Sequence, residues 1–152
     1  MKKTLSLLTL MFVCLLGFSL ASCSDNNDDD PISVTQLPKE AQTFISTYYP
    51  NSQIAGVMRD TDHGSTEYDV TMTNGHKLTF DAAGSWKEVD APTGTRIPTG
   101  FIPQTIVDYV ESTYPSTGIN EISKTGSGYD VELTSDLDLI FDAAGQFVRI
   151  DR

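Results

Sequence analysis

The chain has 152 residues, and its 21 acidic residues outnumber its 10 basic ones, which gives a net charge of −11. This charge argues against binding to nucleic acids or anionic membranes, because both depend on Lys and Arg neutralising phosphate. The two cysteines, Cys14 and Cys23, lie near the N-terminus, so the sequence excludes cysteine-based catalysis, redox chemistry and metal binding in the remaining chain.

The first 22 residues have the pattern of a secretion signal. Lys2 and Lys3 form a short basic start, and residues 5–20 are an almost uninterrupted apolar run. Small residues then precede Cys23, which is typical of a cleavage site rather than of a membrane-spanning helix. We therefore expect residues 1–22 to be removed, which leaves a net charge of −13 because both lysines leave with the signal.

The end of this segment, Leu20-Ala21-Ser22-Cys23, resembles the lipobox of bacterial lipoproteins. In that family the cysteine carries acyl chains, so the resemblance implies that Cys23 is the lipid attachment site and anchors the protein to a membrane. Several acyl chains hold far more firmly than one, since each buried methylene contributes about 0.8 kcal/mol. The alternative is an ordinary secreted protein with a cysteine here by chance.

Residues 23–35 form an acidic tether. Residues 24–30 contain no apolar side chain, so we expect them to be disordered. The stretch resembles the surface-export signal of lipoproteins from certain Gram-negative gut anaerobes, which implies that the protein faces outward from the outer membrane. The alternative is a solvated spacer on a periplasmic lipoprotein.

The globular part consists of two copies of one unit, residues 36–90 and 101–152, joined by a Pro- and Gly-rich linker at 91–100. The second copy is four residues shorter in one loop, which covers residues 60–65 of the first copy. Four motifs recur: Leu37-Pro38 as Ile102-Pro103, Tyr49-Pro50 as Tyr114-Pro115, Tyr-Asp-Val at 68–70 and 129–131, and Phe-Asp-Ala-Ala-Gly at 80–84 and 141–145.

Each pentapeptide predicts a tight hairpin. Its Asp can hydrogen-bond the backbone two residues on, and its Gly accepts the left-handed conformation that follows a type I turn. A metal loop led by Asp81 or Asp142 is the alternative. One aspartate without the alternating oxygen ligands of a calcium loop supports it poorly, so we expect no metal or other cofactor.

Periodicity predicts one helix and four strands in each copy. The helices begin at Pro38 and Pro103 and end before Pro50 and Pro115. The strands are expected at 54–59, 67–73, 77–81 and 85–90, then at 119–124, 129–134, 137–142 and 146–151. The fold class is therefore α+β: two tandem repeats, each a helix packed on a four-stranded antiparallel meander whose other face stays polar.

Together, the lipobox and the duplicated motifs resemble the PepSY-like lipoproteins, a family also described as similar to beta-lactamase-inhibitor protein. The resemblance implies two helix-plus-sheet units side by side, with their open sheet faces forming one saddle. In the inhibitor protein that saddle grips an enzyme, and PepSY domains have been proposed to restrain proteases. The inhibitor's disulfides are absent here and no inhibitory residue matches, so inhibition does not carry over.

The sequence gives little support to catalysis. His63 and His76 are the only histidines, neither in a metal-binding spacing, and no phosphate loop or nucleophile elbow is present. Glu67 and Glu88 could act as acid and base only if burial shifted their pKa values. We therefore predict that the protein is not an enzyme.

We predict instead a monomeric binding module whose polar sheet face contacts an unknown protein, peptide or glycan. The candidate contacts are Asp69, Thr71, Lys77, Thr79, Trp86, Glu132, Ile140 and Phe147. Ile140 is apolar where the first copy has Thr79, whereas Trp86 and Phe147 could instead fill the core beneath the helices. The alternative function is inhibition of a secreted hydrolase, a protease or beta-lactamase.

Overall fold

The computed structural model describes residues 30–62 and 64–151. The predicted signal peptide, Cys23, His63 and the tether before Asp30 lie outside the described residues.

The described chain forms one nine-stranded antiparallel sheet with two helices. The strands lie side by side in chain order, so each pairs with its neighbours in the chain, and the first and the last are the end strands among those described. The strands are β1 (Asp30–Pro31), β2 (Ile54–Asp62), β3 (Ser65–Met72), β4 (Lys77–Asp81), β5 (Trp86–Asp90), β6 (Ile119–Lys124), β7 (Gly128–Leu133), β8 (Asp138–Asp142) and β9 (Phe147–Asp151); the helices are α1 (Lys39–Tyr48) and α2 (Gln104–Thr113).

The mixed class of helices and antiparallel strands is confirmed, but the two repeats do not have separate sheets. Residues Glu88–Asp90 of β5 pair antiparallel with Glu121–Ser123 of β6, which joins the repeats edge to edge. Val89 and Ile122 form the central pair of this junction, and neither is exposed to solvent. The junction therefore lies in the continuous core.

The predicted loop at residues 60–65 is instead an extension of the β2–β3 hairpin. Asp60 pairs with Glu67 and Thr61 with Thr66, so the strands continue beyond the point where the equivalent hairpin of the second repeat turns. The expectation of a loop is wrong here because the four extra residues are added in pairs, and each pair continues the ladder of hydrogen bonds.

An apolar row runs across the sheet beneath the helices. Its members are cross-strand partners on eight successive strands, and they lie on the same face because paired residues point the same way. We call them the apolar row: Val57, Val70, Leu78, Val89, Ile122, Val131, Leu139 and Ile150. All are buried except Ile150 at the end of the row, which is 39% exposed.

The helices cover this face with the apolar side chains that their spacing predicts. Phe44 of α1 packs edge-on against Phe80, and Tyr109 of α2 packs in the same way against Phe141, each at 5.5 Å between ring centroids. The prolines that were expected at the first helical position, Pro38 and Pro103, lie one residue earlier.

The segment between the repeats contains no helix or strand from Ala91 to Gly100, yet it is firmly attached to the sheet. The buried side-chain amide of Asn120 donates through Nδ2 to the carbonyl oxygens of Ala91, Pro92 and Thr95, at 3.1, 3.1 and 2.7 Å. These bonds satisfy a buried polar group and hold the chain where it leaves β5. The connection is thereby tied to β6, which strengthens the junction.

The duplicated pentapeptide forms the predicted hairpin in both repeats. The Asp81 carboxylate accepts hydrogen bonds from the backbone amides of Ala83 and Ser85, both at 2.9 Å, and Asp142 accepts the equivalent pair. Gly84 follows with φ +92° and lies against the start of α1, where an added Cβ would be 2.9 Å from the Ala41 amide nitrogen. The turn therefore sets both the hairpin and the position of the helix.

Replacing Gly84 by alanine should destabilise the fold more than replacing Gly94, whose φ is +77° but which has open space around it. The left-handed backbone strains alanine at both sites by about 1 kcal/mol, and only at Gly84 does overpacking add about 1–3 kcal/mol. Urea unfolding of Gly84→Ala and Gly94→Ala measures the difference. Equal losses would show that the turn does not depend on close contact with α1.

Candidate functional site

The face of the sheet opposite the helices, which we call the open face, carries the polar residues that alternate with the apolar row. Six of the eight predicted contact residues lie on it. Lys77 is opposite Thr71, and Thr79 is opposite Asp69, whose Oδ1 accepts a hydrogen bond from the Thr79 hydroxyl at 2.7 Å. Glu132 and Ile140 lie on the same face in the second repeat.

Trp86 and Phe147 do not lie on the open face, so their assignment to it is wrong. Trp86 is opposite Phe80, and its ring is 5.1 Å from that of Phe101. Phe147 is opposite Phe141 and stacks on Tyr109 of α2 at 4.7 Å. Both rings are half-buried against the helix side, which is the alternative that the sequence left open.

The reason is a β-bulge in each of these hairpins. The register shifts between Thr79 and Phe80, and again between Ile140 and Phe141, so one extra residue enters β5 and β9. In a regular strand, residues an odd number of positions apart point to opposite faces. A bulge lets two such residues share one face, as Trp86 and Val89 do.

Five acidic side chains on the open face follow one another across the five strands β5 to β9. Each is the cross-strand partner of the next, and we call them the acidic row: Asp90, Glu121, Glu132, Asp138 and Asp151. Neighbouring strands are about 4.8 Å apart, so these charges repel one another at close range. Lys77, opposite Asp90, places one positive charge at the end of the row.

The electrostatic cost of this arrangement is greatest near its centre. Partial burial, followed by the neighbouring charges of Glu88, Asp90, Glu132 and Asp138, raises the pKa of Glu121 to about 7. The pKa values of Glu88 and Glu132 are also raised, first by burial and then by neighbouring carboxylates. The acidic row is thus a surface on which a positive charge from outside would be stabilised.

The open face also exposes apolar surface near β9. An open groove of about 480 Å³ is lined by Ile140 and Val148 together with Asp130, Asp142 and Arg149. Val148 is 55% exposed, and Met58 at the other end of the face is 37% exposed. Apolar side chains among carboxylates suit a partner that is both basic and partly apolar.

The described residues contain no preformed metal site: within 30–62 and 64–151, no three His, Cys, Asp or Glu side chains form a group that could hold a metal ion. The carboxylates of the acidic row are therefore spread along a line rather than gathered around one point.

Sequence reasoning missed most of the acidic row: Asp90, Glu121, Asp138 and Asp151 were not among the predicted contacts. Alternation within each strand could have placed them on the polar face. Their alignment into one row depends on the register between β5 and β6, which are separated by a long connection and a helix.

The fold agrees with what comparison with known proteins finds. The family model described as "Putative beta-lactamase-inhibitor-like, PepSY-like" matches residues 26–65 and 66–149. The chain belongs to this PepSY-like family, which confirms the resemblance seen in the sequence. The family's description is inhibitor-like and names no catalytic activity. No curated protein was found to match the chain.

Solved structures from Bacteroides have the same fold. A protein from Bacteroides vulgatus, described as a "putative periplasmic protein" of the DUF2874 family, is 37% identical; the alignment covers 84% of this chain and 99% of that one, with a TM-score of 0.78. A "putative calcium-regulated periplasmic protein" from Bacteroides thetaiotaomicron is also 37% identical, with coverage of 82% and 98% and a TM-score of 0.77.

These relatives fit a location in the cell envelope. In the part of the chain that the structure describes, neither helix has the length and apolar character needed to span a membrane.

Replacing Glu121 by glutamine should stabilise the protein at pH 8 by about 1 kcal/mol and have little effect at pH 4. With its pKa raised to about 7, Glu121 binds more protons in the folded state than in the unfolded state. Stability therefore falls as the pH rises from the ordinary glutamate pKa towards 7, and glutamine abolishes this loss. The expected gain is small because water and salt screen a half-exposed cluster of charges.

Urea unfolding at both pH values measures this effect, with Glu111→Gln on the exposed side of α2 as the control. A gain that is the same at pH 4 and pH 8, or that Glu111→Gln matches, would contradict the raised pKa.

Proposed function

We propose that the protein is a non-catalytic binding module of the cell envelope, and that its open face holds a partner with a basic, partly apolar surface. The observation that carries the proposal is the acidic row. Five carboxylates in register destabilise the free protein, and a positively charged partner would relieve that repulsion.

The proposal includes the anchor expected from the sequence. Cys23 carries the lipid and holds the protein on the outer membrane, with the open face turned to the cell exterior; the periplasmic face is the alternative. The relatives are described as periplasmic, which favours an envelope location and agrees with the alternative side. Protease treatment of intact cells decides the side: cutting before lysis supports surface exposure, and cutting only after lysis contradicts it.

Inhibition of a secreted hydrolase is the second candidate, and the family's beta-lactamase-inhibitor-like description favours it. An inhibitor would use the same face to form a tight complex with one enzyme. Calcium is a competitor that the test must exclude, because one relative is described as calcium-regulated and carboxylate oxygens are the ligands that Ca²⁺ prefers.

Photo-crosslinking in the producing cells tests the proposal. A photo-reactive residue replaces Thr71, which is exposed on the open face, or Thr47, which is exposed on α1. We expect Thr71 to capture a partner that Thr47 does not, and the double variant Glu121→Gln/Glu132→Gln to weaken the capture by roughly tenfold, as the loss of about 1.4 kcal/mol would do.

The matched control is Glu40→Gln/Glu111→Gln, which removes two carboxylates from the exposed sides of the helices. An equal loss of capture in both double variants would show that only the net charge of the protein matters. That result would contradict the assignment of the binding site to the open face. A captured hydrolase that the purified protein inhibits would favour the second candidate. Capture that is suppressed by added Ca²⁺ and restored by a chelator would identify calcium as a competitor.

A further inference from the structure

The last strand, β9, forms an open edge of the sheet. It is the end strand among those described, and all of its residues except Phe147 are exposed. The apolar row continues to this edge and stops at Ile150, which is 39% exposed although its cross-strand neighbour Leu139 is completely buried. An edge strand with unpaired backbone groups and exposed apolar side chains is a template for another strand.

The first repeat shows how such an edge is covered. By the duplication, β5 is the counterpart of β9, and Val89 is the counterpart of Ile150. The antiparallel strand β6 lies along β5, places Ile122 opposite Val89 and leaves Val89 with no exposed surface. The second repeat has the same edge, but no described strand covers it.

The residues at this edge are complementary to themselves. In an antiparallel pair centred on Ile150, the sequence Arg149-Ile150-Asp151 meets Asp151-Ile150-Arg149 of a second copy. Each Arg149 then faces an Asp151 on the open face, and the two isoleucines extend the apolar row. Within one chain these charges already attract each other across 3.4 Å, between Arg149 Nη2 and Asp151 Oδ1. In the pair, each Arg149 could contact Asp151 of the other copy instead of Asp151 of its own chain.

We propose that two copies of this chain associate through antiparallel pairing of β9 with β9, about a twofold axis at Ile150. The interface is isologous, as in most homodimers. A basic segment of another protein would match Asp151 but would place its charge against Arg149, whereas a second copy satisfies both. The sequence predicts a monomer, and the exposed end of the apolar row argues against that prediction.

The interface is small, and both copies are acidic, so the association is weak in dilute solution. Anchoring on a membrane would favour it by raising the local concentration. The pairing also joins two open faces side by side. The two acidic rows could then bind a partner that has repeated basic sites.

Disulfide trapping of the full chain in cells that export it tests the pairing and its register. Residues opposite each other in antiparallel strands have Cα atoms about 5 Å apart, within the range that a disulfide can span. Ile150→Cys should therefore give a covalent dimer on a non-reducing gel. Val148→Cys lies two residues off the axis, so its two copies would be about 14 Å apart and should crosslink several-fold more slowly.

Three controls separate pairing from collision. The unmodified chain gives the background from any chain whose Cys14 or Cys23 escapes processing, and Met58→Cys tests an equally exposed site near the other end of the sheet. Arg149→Asp in the Ile150→Cys background should reduce the dimer, because Asp would face Asp151. Adding Asp151→Arg should restore the dimer, since the charges are then exchanged and again opposite.

Preferential crosslinking at position 150, together with rescue by the charge exchange, supports the proposal. Equal crosslinking at positions 58, 148 and 150 would overturn it, as would an Ile150→Cys chain that does not exceed the background. Faster crosslinking at Val148→Cys than at Ile150→Cys would overturn the register, and failure of the charge exchange to rescue would overturn the role of the Arg149–Asp151 contact. Each variant's thermal unfolding shows whether it is folded.

Discussion

The pairing of β5 with β6 is the constraint on which the rest of the structure depends. It joins two copies of one helix-and-sheet unit into a single sheet, and it aligns residues of both repeats on both faces. On the helix side it places Val89 against Ile122 and makes one apolar row. On the open face it places Asp90 against Glu121, which joins carboxylates from the two repeats in one acidic row. The core and the candidate site therefore arise from the same register.

The two faces of this pairing have opposite energetic effects. Burial of the apolar row stabilises the sheet, and each fully buried Val, Leu or Ile side chain contributes about 1.5–3 kcal/mol. The acidic row opposes this through like charges on neighbouring strands, and partial burial together with this repulsion raises the pKa of Glu121. Burial of the continuous core stabilises the fold enough to tolerate this repulsion between carboxylates. An arrangement of charges that lowers stability is typical of a surface kept for binding. The partner proposed for the open face would remove part of that cost.

Much of the fold was accessible from the sequence because its signals are local. Proline, turn glycine and alternation predicted the helices, the Asp81 and Asp142 hairpins and the polar placement of Asp69, Thr79 and Glu132. Two features were not local. The bulges that turn Trp86 and Phe147 towards the helices depend on how each strand meets its partner. The acidic row depends on a register that Asn120 helps to set through hydrogen bonds to a segment about 25 to 29 residues away.

The most direct test of this account is the titration of the Glu121 side-chain carboxyl by NMR, in the unmodified protein and in an Asp90→Asn variant. Asp90 belongs to the first repeat and Glu121 to the second, so an effect of one on the other requires the β5–β6 pairing. We predict that Glu121 titrates near pH 7 and that its pKa falls when Asp90 is replaced. A pKa near the ordinary glutamate value that does not respond to Asp90→Asn would contradict both the register of the junction and the acidic row.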